Sequence, residues 1–364
     1  MKIKTTQLKE MLTKAIKGVG NNKLIPITEL IKIEVYNGLL TLETTDATNY
    51  LYITEDIDAD DDIYAVVNAD LFAKLIARTT SETVDISIQN NMPLLQVVGN
   101  GTYTLELPMD ENGGMVKYPD PINTIADTAS ASYTIPLGTV DKILDVIRPA
   151  LATTYENPCY TGYYFSADDV IATDTYKIAC FSPNLTADVP ISLMSSSLME
   201  LLGIMTKPVI SVDEYGANSV YHTEDVQIYA PAMDGLQEFA VQEIKAISNQ
   251  EFPYSCKISR QDILSVLDRL NLFISPFDKN AINLTFTEDA LQIASKASSG
   301  IETLPYQDKA NNVTGTFNCA VDIEMLESEI KAIPSDILYI EYGEDNAIKF
   351  IDDDVTIVVA LLEE

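Results

Sequence analysis

Six times along this 364-residue chain an amphipathic helical pattern is followed by alternating, strand-like runs, the helical segments opening near Thr6, Ala69, Gly138, Ser195, Ser259 and Asp322. Successive starts lie 63, 69, 57, 64 and 63 residues apart, the kind of fixed period that internal repeats produce. In the first copy Leu8, Met11, Leu12, Ala15 and Ile16 fall on one face of a 3.6-residue helix. The later copies follow suit with Leu71/Phe72 and Leu75/Ile76, Val140-Ile143-Leu144-Ile147-Leu151, Leu198-Leu201-Leu202-Met205, Ile263-Leu267-Leu270 and Ile323-Leu326-Ile330-Ile333. Helix stops are read at Gly18, Pro149, Lys207-Pro208 and Pro334.

Between the helices lie runs such as Leu30 to Val35, the turn Tyr36-Asn37-Gly38, and Leu39 to Glu43, where Asn-Gly signals a hairpin. Similar runs are Ile210 to Val212 with Gly216, Asn283 to Phe286 with Glu288-Asp289, and Leu338 to Tyr342 with Gly343 to Asn346. Each helix is thus embedded in roughly four strands, an α+β pattern. One helix on a small sheet cannot bury both its stripe and the sheet face, so two half-repeats are expected to make one domain. Three similar domains follow, 1–125, 126–250 and 251–364, with joints in the proline-rich and turn-rich stretches Met109 to Ala126 and Ile247 to Tyr254.

The apolar share, 46%, is enough for real cores, and no run of eighteen apolar residues suggests a membrane span. The opening residues lack an apolar secretory core, which leads us to expect a cytoplasmic protein, in a bacterial cell or a phage-infected host. Cys159, Cys180, Cys256 and Cys319 contain no Cys-x-x-Cys pair and have only His222 to join them, so no metal is expected. They read as small buried apolar residues, or as disulfides in an oxidising compartment.

A net charge of −32 argues against a nucleic-acid partner until the charges are located. The six helical segments hold Lys9, Lys14, Lys17, Lys74, Arg78, Lys142, Arg148, Arg260, Arg269 and Lys331, which is 10 of the 23 basic residues, against 11 of the 55 acidic ones. The helices are near neutral and the acidity belongs to strands and loops. Lys14 and Lys17 fall opposite the apolar stripe of the first helix, so they point away from the sheet. A basic helix lining facing a duplex would touch phosphates without reading bases. Ordinary solvated helix faces are the plainer alternative, favoured by Asp322, Glu324, Glu327 and Glu329 in the sixth helix.

Against this background Gly162-Tyr163-Tyr164-Phe165, Val170-Ile171 and Ala172-Thr173-Asp174-Thr175-Tyr176-Lys177-Ile178-Ala179 resemble the bacterial DNA sliding clamp family, the β subunit of DNA polymerase III, as a divergent or phage-encoded member. The octapeptide is similar to the family's Ala-Thr-Asp-Gly-His-Arg-Leu-Ala. Phe317-Asn318 and Thr356-Ile357-Val358-Val359 also match it in position. The resemblance implies the DNA-clamp fold: three domains per chain, helices lining a ring, sheets outside, and a homodimer encircling double-stranded DNA as a polymerase processivity factor. It implies no cofactor, no catalysis, and an ATP-dependent clamp loader as partner.

By position the resemblance places the dimer interface at Tyr103, Leu105, Phe273 and Ile274, with ordinary core packing as the alternative for these residues. A pocket for clamp-binding peptides of polymerase and other clients would comprise Tyr160, Thr173, Thr175, Tyr176, Lys177, Ile178, Pro253, Val358, Ala360 and Leu362. Thr175 and Tyr176 replace the family's glycine and histidine, and the tail ends in Glu363-Glu364, so an altered peptide preference is expected. Lys23 and Tyr155 match loop positions that touch DNA in the family.

Sharper chemistry fails on spacing. The run Asp56, Asp58, Asp60, Asp61 and Asp62 has Asp61 where a calcium loop needs glycine and Val67 where it needs glutamate. His222 has no nucleophile elbow with it, and no glycine-rich phosphate cradle is present. The alternative to a clamp is a non-catalytic, acidic, β-rich structural or assembly scaffold.

Overall fold

Each helical pattern becomes a half-repeat of one strand, one helix and three strands in the computed structural model, which describes residues 1–20, 22–59, 61–89, 93–121, 131–183, 185, 189–212, 218–274, 280–296, 299–308, 315–344 and 346–362. Asp60, Gly216, residues 122–126 of the first expected joint, residues 275–277, and Glu363-Glu364 lie outside these residues. The first half-repeat comprises β1 (Lys2–Lys4), α1 (Thr5–Ala15), β2 (Leu30–Tyr36), β3 (Leu39–Thr45) and β4 (Tyr50–Asp56). The second comprises β5 (Ile63–Asn68), α2 (Ala69–Arg78), β6 (Thr83–Ile88), β7 (Leu94–Val98) and β8 (Thr102–Glu106). The third runs β9 (Ala131–Thr134), α3 (Thr139–Lys142), β10 (Gly162–Phe165), β11 (Val170–Thr173) and β12 (Lys177–Phe181). The fourth runs β13 (Ser192–Ser195), α4 (Ser196–Leu202), β14 (Val209–Val212), β15 (Asn218–His222) and β16 (Val226–Pro231). An additional helix, α5 (Val241–Ser248), stands outside the period. The fifth half-repeat is β17 (Tyr254–Ser259), α6 (Arg260–Asn271), β18 (Ala281–Phe286), β19 (Ala290–Ser295) and β20 (Ile301–Pro305). The sixth is β21 (Phe317–Asp322), α7 (Ile323–Ala332), β22 (Ile337–Tyr342), β23 (Ala347–Asp352) and β24 (Val355–Ala360).

The half-repeats interlock in pairs by exchanging their first strands. β1 pairs with β6 and β5 with β2, β9 with β14 and β13 with β10, β17 with β22 and β21 with β18. A four-stranded quartet therefore always draws on two half-repeats. Quartets then join edge to edge, β4 to β16 with Leu51 opposite Ile228, and β12 to β24 with Ile178 opposite Val358. The result is two eight-stranded antiparallel sheets, β5-β2-β3-β4-β16-β15-β14-β9 and β13-β10-β11-β12-β24-β23-β22-β17, and two four-stranded ones, β1-β6-β7-β8 and β20-β19-β18-β21.

The chain forms two compact bodies, Met1–Leu137 with Ser197–Ala232, and Gly138–Ser196 with Met233–Glu364. Each contains one eight-stranded and one four-stranded sheet. The two quartets within 126–250 belong to different eight-stranded sheets.

In the first body α1 buries Leu8, Met11, Leu12 and Ala15, and α2 buries Phe72 and Ile76. Leu71 departs from its expected stripe and is 56% exposed, since the buried face of α2 is that of Ala69, Phe72 and Ile76 and Leu71 lies about 100° of helix rotation away from Phe72; its N–H donates to the Asn68 cap at 2.9 Å. The Asn37-Gly38 hairpin forms with both residues at positive φ, 50° and 79°, as a two-residue turn between right-twisted strands requires.

In the second body α3 widens into a π turn over Ile143–Ile147 before a 3-10 turn at Arg148–Ala150. Pro149 offers no N–H and its ring crowds the carbonyl four residues earlier, and the wide turn relieves that conflict. α6 buries Ile263, Val266, Leu267 and Leu270, and α7 buries Ile323, Leu326 and Ile330. Among the described residues no helix is long and apolar enough to cross a membrane.

Candidate functional site

The octapeptide Ala172 to Ala179 builds a turn. Thr173 Oγ1 donates to the Lys177 carbonyl at 2.6 Å and accepts the Thr175 N–H at 3.0 Å, while Asp174 Oδ1 accepts the N–H groups of Tyr176 and Lys177 at 2.9 and 2.7 Å. Thr175 is left-handed, with φ 79°. The same four bonds recur in the first body, where Thr45 Oγ1 donates to the Asn49 carbonyl and accepts the Ala47 N–H, and Asp46 Oδ1 accepts the N–H groups of Thr48 and Asn49, with Ala47 also at φ 79°. Thr44 to Leu51 is thus a second copy of the motif. Its signal in the sequence is the shared Thr-Asp followed by a left-handed residue. Each copy starts the strand along which two quartets join, so the motif fixes register there.

Alternation along β12 sends Ile178 and Cys180 to one side of the sheet and Lys177 and Ala179 to the other. On the Ile178 side, Ile178, Val358, Ile171, Tyr164 and Ala347 form one apolar cluster. Tyr160 joins its margin, with its ring edge-on to Phe239 at 5.2 Å. Three residues that the resemblance assigns to the client pocket, Tyr160, Ile178 and Val358, are therefore together. Ala360 and Leu362 are half-buried and held by main-chain bonds to Tyr176 and Ala320 at 2.8 Å each. Tyr176 is 61% exposed and Pro253 is exposed at the surface. Thr173 is buried, and with Thr175 it is engaged in the turn.

Lys177 points to the opposite side. Its ammonium donates to the Pro149 carbonyl at 2.5 Å and lies 3.3 Å from Glu329 on α7 and 3.5 Å from Asp174. It ties β12 to the helices. Glu329 is fully buried, and that burial pushes its carboxyl up to about 7, against the pull of Lys177.

The apolar cluster has a cover that the sequence reading missed. Phe239 stacks on Tyr164 at 5.6 Å, and Phe239 and Ile244 are buried against the sheet, with Leu236 and Val241 half-buried beside them. A signal was present in the 3.6-residue spacing of Val241, Ile244 and Ser248 behind Phe239. Lys349 closes one end, donating to the Gln250 carbonyl at 2.7 Å, pairing with Glu341 at 2.7 Å and sitting 5.1 Å over the Phe252 ring.

The basic residues expected to face DNA divide by what they touch. In the first body Lys9 donates to the Thr79 carbonyl at the end of α2 at 2.7 Å, Lys14 pairs with Asp225, and Lys74 pairs with Asp70 at 2.7 Å. Lys17, Lys23 and Arg78 are exposed. In the second body Lys142 pairs with Asp354, Arg269 forms a two-point pair with Glu302, and Arg260 donates to the last carbonyls of α7, those of Ile330 and Lys331, at 3.0 and 2.9 Å. Arg148 and Tyr155 are exposed, Tyr155 strongly so at 83%.

The residues assigned to a dimer interface sit at sheet and helix ends. Tyr103 on the edge strand β8 is 43% exposed, while Leu105 is buried and helps line a cavity of about 850 Å³ with Leu71, Leu94 and Met109. Beyond α6, Leu272 and Phe273 are 82% and 52% exposed and Ile274 is half-buried.

Six strand-helix-strand-strand-strand half-repeats, exchanged in pairs and joined edge to edge over a duplicated turn, constitute the DNA-clamp fold. Solved structures carry the same fold over the whole chain. The DNA polymerase III β subunit of Thermotoga maritima matches at 15% identity and a TM-score of 0.86, covering 100% of this chain and 99% of that one. That of Pseudomonas aeruginosa matches at 15% and 0.85, covering 100% of both chains, and that of Borrelia burgdorferi at 16% and 0.84, covering 100% and 98%. No family model matches the chain, and no curated protein does. The resemblance read from the octapeptide is thus borne out in the fold.

Proposed function

We propose that this chain is a processivity factor, a sliding clamp that closes as a head-to-tail homodimeric ring around double-stranded DNA and tethers polymerase to it. The observation that carries the reading is the full-length likeness to bacterial DNA polymerase III β subunits at TM-scores of 0.84 to 0.86. On this reading the chain performs no chemistry. It consists of three clamp domains, 1–125, 126–250 and 251–364, acts in the cytoplasm, and is opened by a separate ATP-dependent loader. Exposed Lys17, Lys23 and Arg78, with Tyr155, make weak phosphate contacts, and the paired lysines and arginines add little. Weak contact suits a protein held by topology, because strong contact would slow sliding. Clients dock where Tyr160, Ile178 and Val358 meet.

The test is retention on DNA. Loaded with its loader and ATP on a nicked circular plasmid, the chain is expected to stay with the circle through gel filtration and to leave when the circle is cut once. Equal retention on circular and linear DNA would overturn the assignment.

A further inference from the structure

The face that would receive client peptides already has an occupant, and the occupant belongs to the same chain. Residues 233–248 leave β16, turn at Gly235 with φ 93°, and lay Leu236, Phe239, Val241 and Ile244 over Ile178, Val358, Tyr164 and Tyr160. Contact is continuous from end to end. The Met233 N–H donates to the Leu193 carbonyl at 2.9 Å, Lys245 pairs with Asp169, and Ser248 Oγ lies 3.3 Å from Cys180 Sγ on β12. Under this cover Ile178 and Val358 retain 8% and 3% exposure, too little for a second peptide to rest on. An aromatic anchor, aliphatic residues at helical spacing and a polar outer side are the features by which a peptide docks in an apolar groove.

We propose that residues 235–248 are a built-in occupant of the client groove, and that a client peptide binds this chain by displacing them. The inference rests on the reading of Ile178 and Val358 as the client site. Two physical facts make displacement feasible. A helix of eight residues has little stability of its own, and α5 has no side-chain cap at its N-terminus, so its order depends on the contacts beneath it. A tethered segment also competes at an effective concentration in the millimolar range, which weakens every incoming peptide by the fraction of time that the groove is open. Selectivity follows, since weakly anchored peptides are excluded and strongly anchored ones are admitted.

The probe is a fluorescein-labelled synthetic peptide with the sequence of residues 236–248, titrated into the full-length chain. Wild-type protein is expected to bind it weakly. The double variant Phe239→Ala, Ile244→Ala, shown to be folded by a cooperative melt, is expected to bind it at least about tenfold more tightly. The complementary variant Ser248→Cys places a thiol against Cys180. Oxidised with glutathione disulfide, it locks α5 to β12 and is expected to lose probe binding, which returns to the wild-type value on reduction. Equal binding by wild-type, opened and locked proteins overturns the proposal, as does a folded opened variant that gains no affinity. Retention of the locked variant on loaded circular DNA separates the two readings. A chain that is retained yet binds the probe equally when locked and unlocked remains a clamp without a built-in occupant, whereas loss of retention in the wild type removes the clamp reading itself.

Discussion

Glu329 shows how one side chain can make a fold sensitive to pH. Its carboxyl titrates near 7 in the folded chain, against a usual value of 4.5, because burial opposes its charge more than Lys177 supports it. The folded state therefore holds the proton more tightly than the unfolded state does. The stability contributed is complete below about 4.5 and is lost as the pH rises through 7, a difference on the order of 3 kcal/mol across the window. Glu329→Gln is expected to flatten this part of the profile, so the gap between wild-type and variant urea midpoints should change steadily from about pH 5 to about pH 7 and level off above it. A constant gap would mean that Glu329 titrates as an exposed carboxylate does. Nothing in the sequence distinguished Glu329 from its helix neighbours, exposed Glu324 and half-buried Glu327, because a partner 152 positions away, Lys177, decides its state.

At the level of elements, the six amphipathic stripes were legible because burial leaves a period in the sequence, and Leu8, Met11, Leu12 and Ala15 show how closely the two agree. Leu71 failed because α2 buries only the narrow face of Ala69, Phe72 and Ile76, and the expected stripe was one residue too wide. α5 escaped because it is one short helix outside the repeat and its apolar residues begin in the turn before it. The basic residues of the helices were legible as a count, and their pairings were not, since Asp225, Asp354 and Glu302 come from distant strands and loops. If exposed Lys17 and Lys23 meet phosphate, the double variant Lys17→Ala, Lys23→Ala should make the dependence of log affinity on log salt shallower by roughly 2, about 0.9 per contact removed. Fluorescence anisotropy with a short duplex reads this slope, and an unchanged slope would free both lysines from that role.

On the scale of the whole molecule, the strand exchange between half-repeats is invisible to periodicity, which reports that copies exist and is silent on which strand each gives away. Two of the sheets end in β8 and β20, which among the described residues have no strand paired on their outer edges, and such edges associate with another strand. Exposed Tyr103, Leu272 and Phe273 are the residues that a second copy would cover. If a second copy pairs there, Tyr103→Asp together with Phe273→Asp is expected to halve the sedimenting mass, and a variant dimer of unchanged strength would move the interface elsewhere. The joining of β4 to β16 and of β12 to β24 also bears on how the protein is made. Leu51 waits for Ile228, and Ala179 waits for Ile357. At ribosomal speeds of 5 to 20 residues per second each wait lasts roughly 10 to 35 s, during which an apolar strand emerges with one side unmatched. Slower growth at lower temperature, or a chaperone that shields such edges on the nascent chain, should therefore raise the soluble yield more than any change to the finished surface.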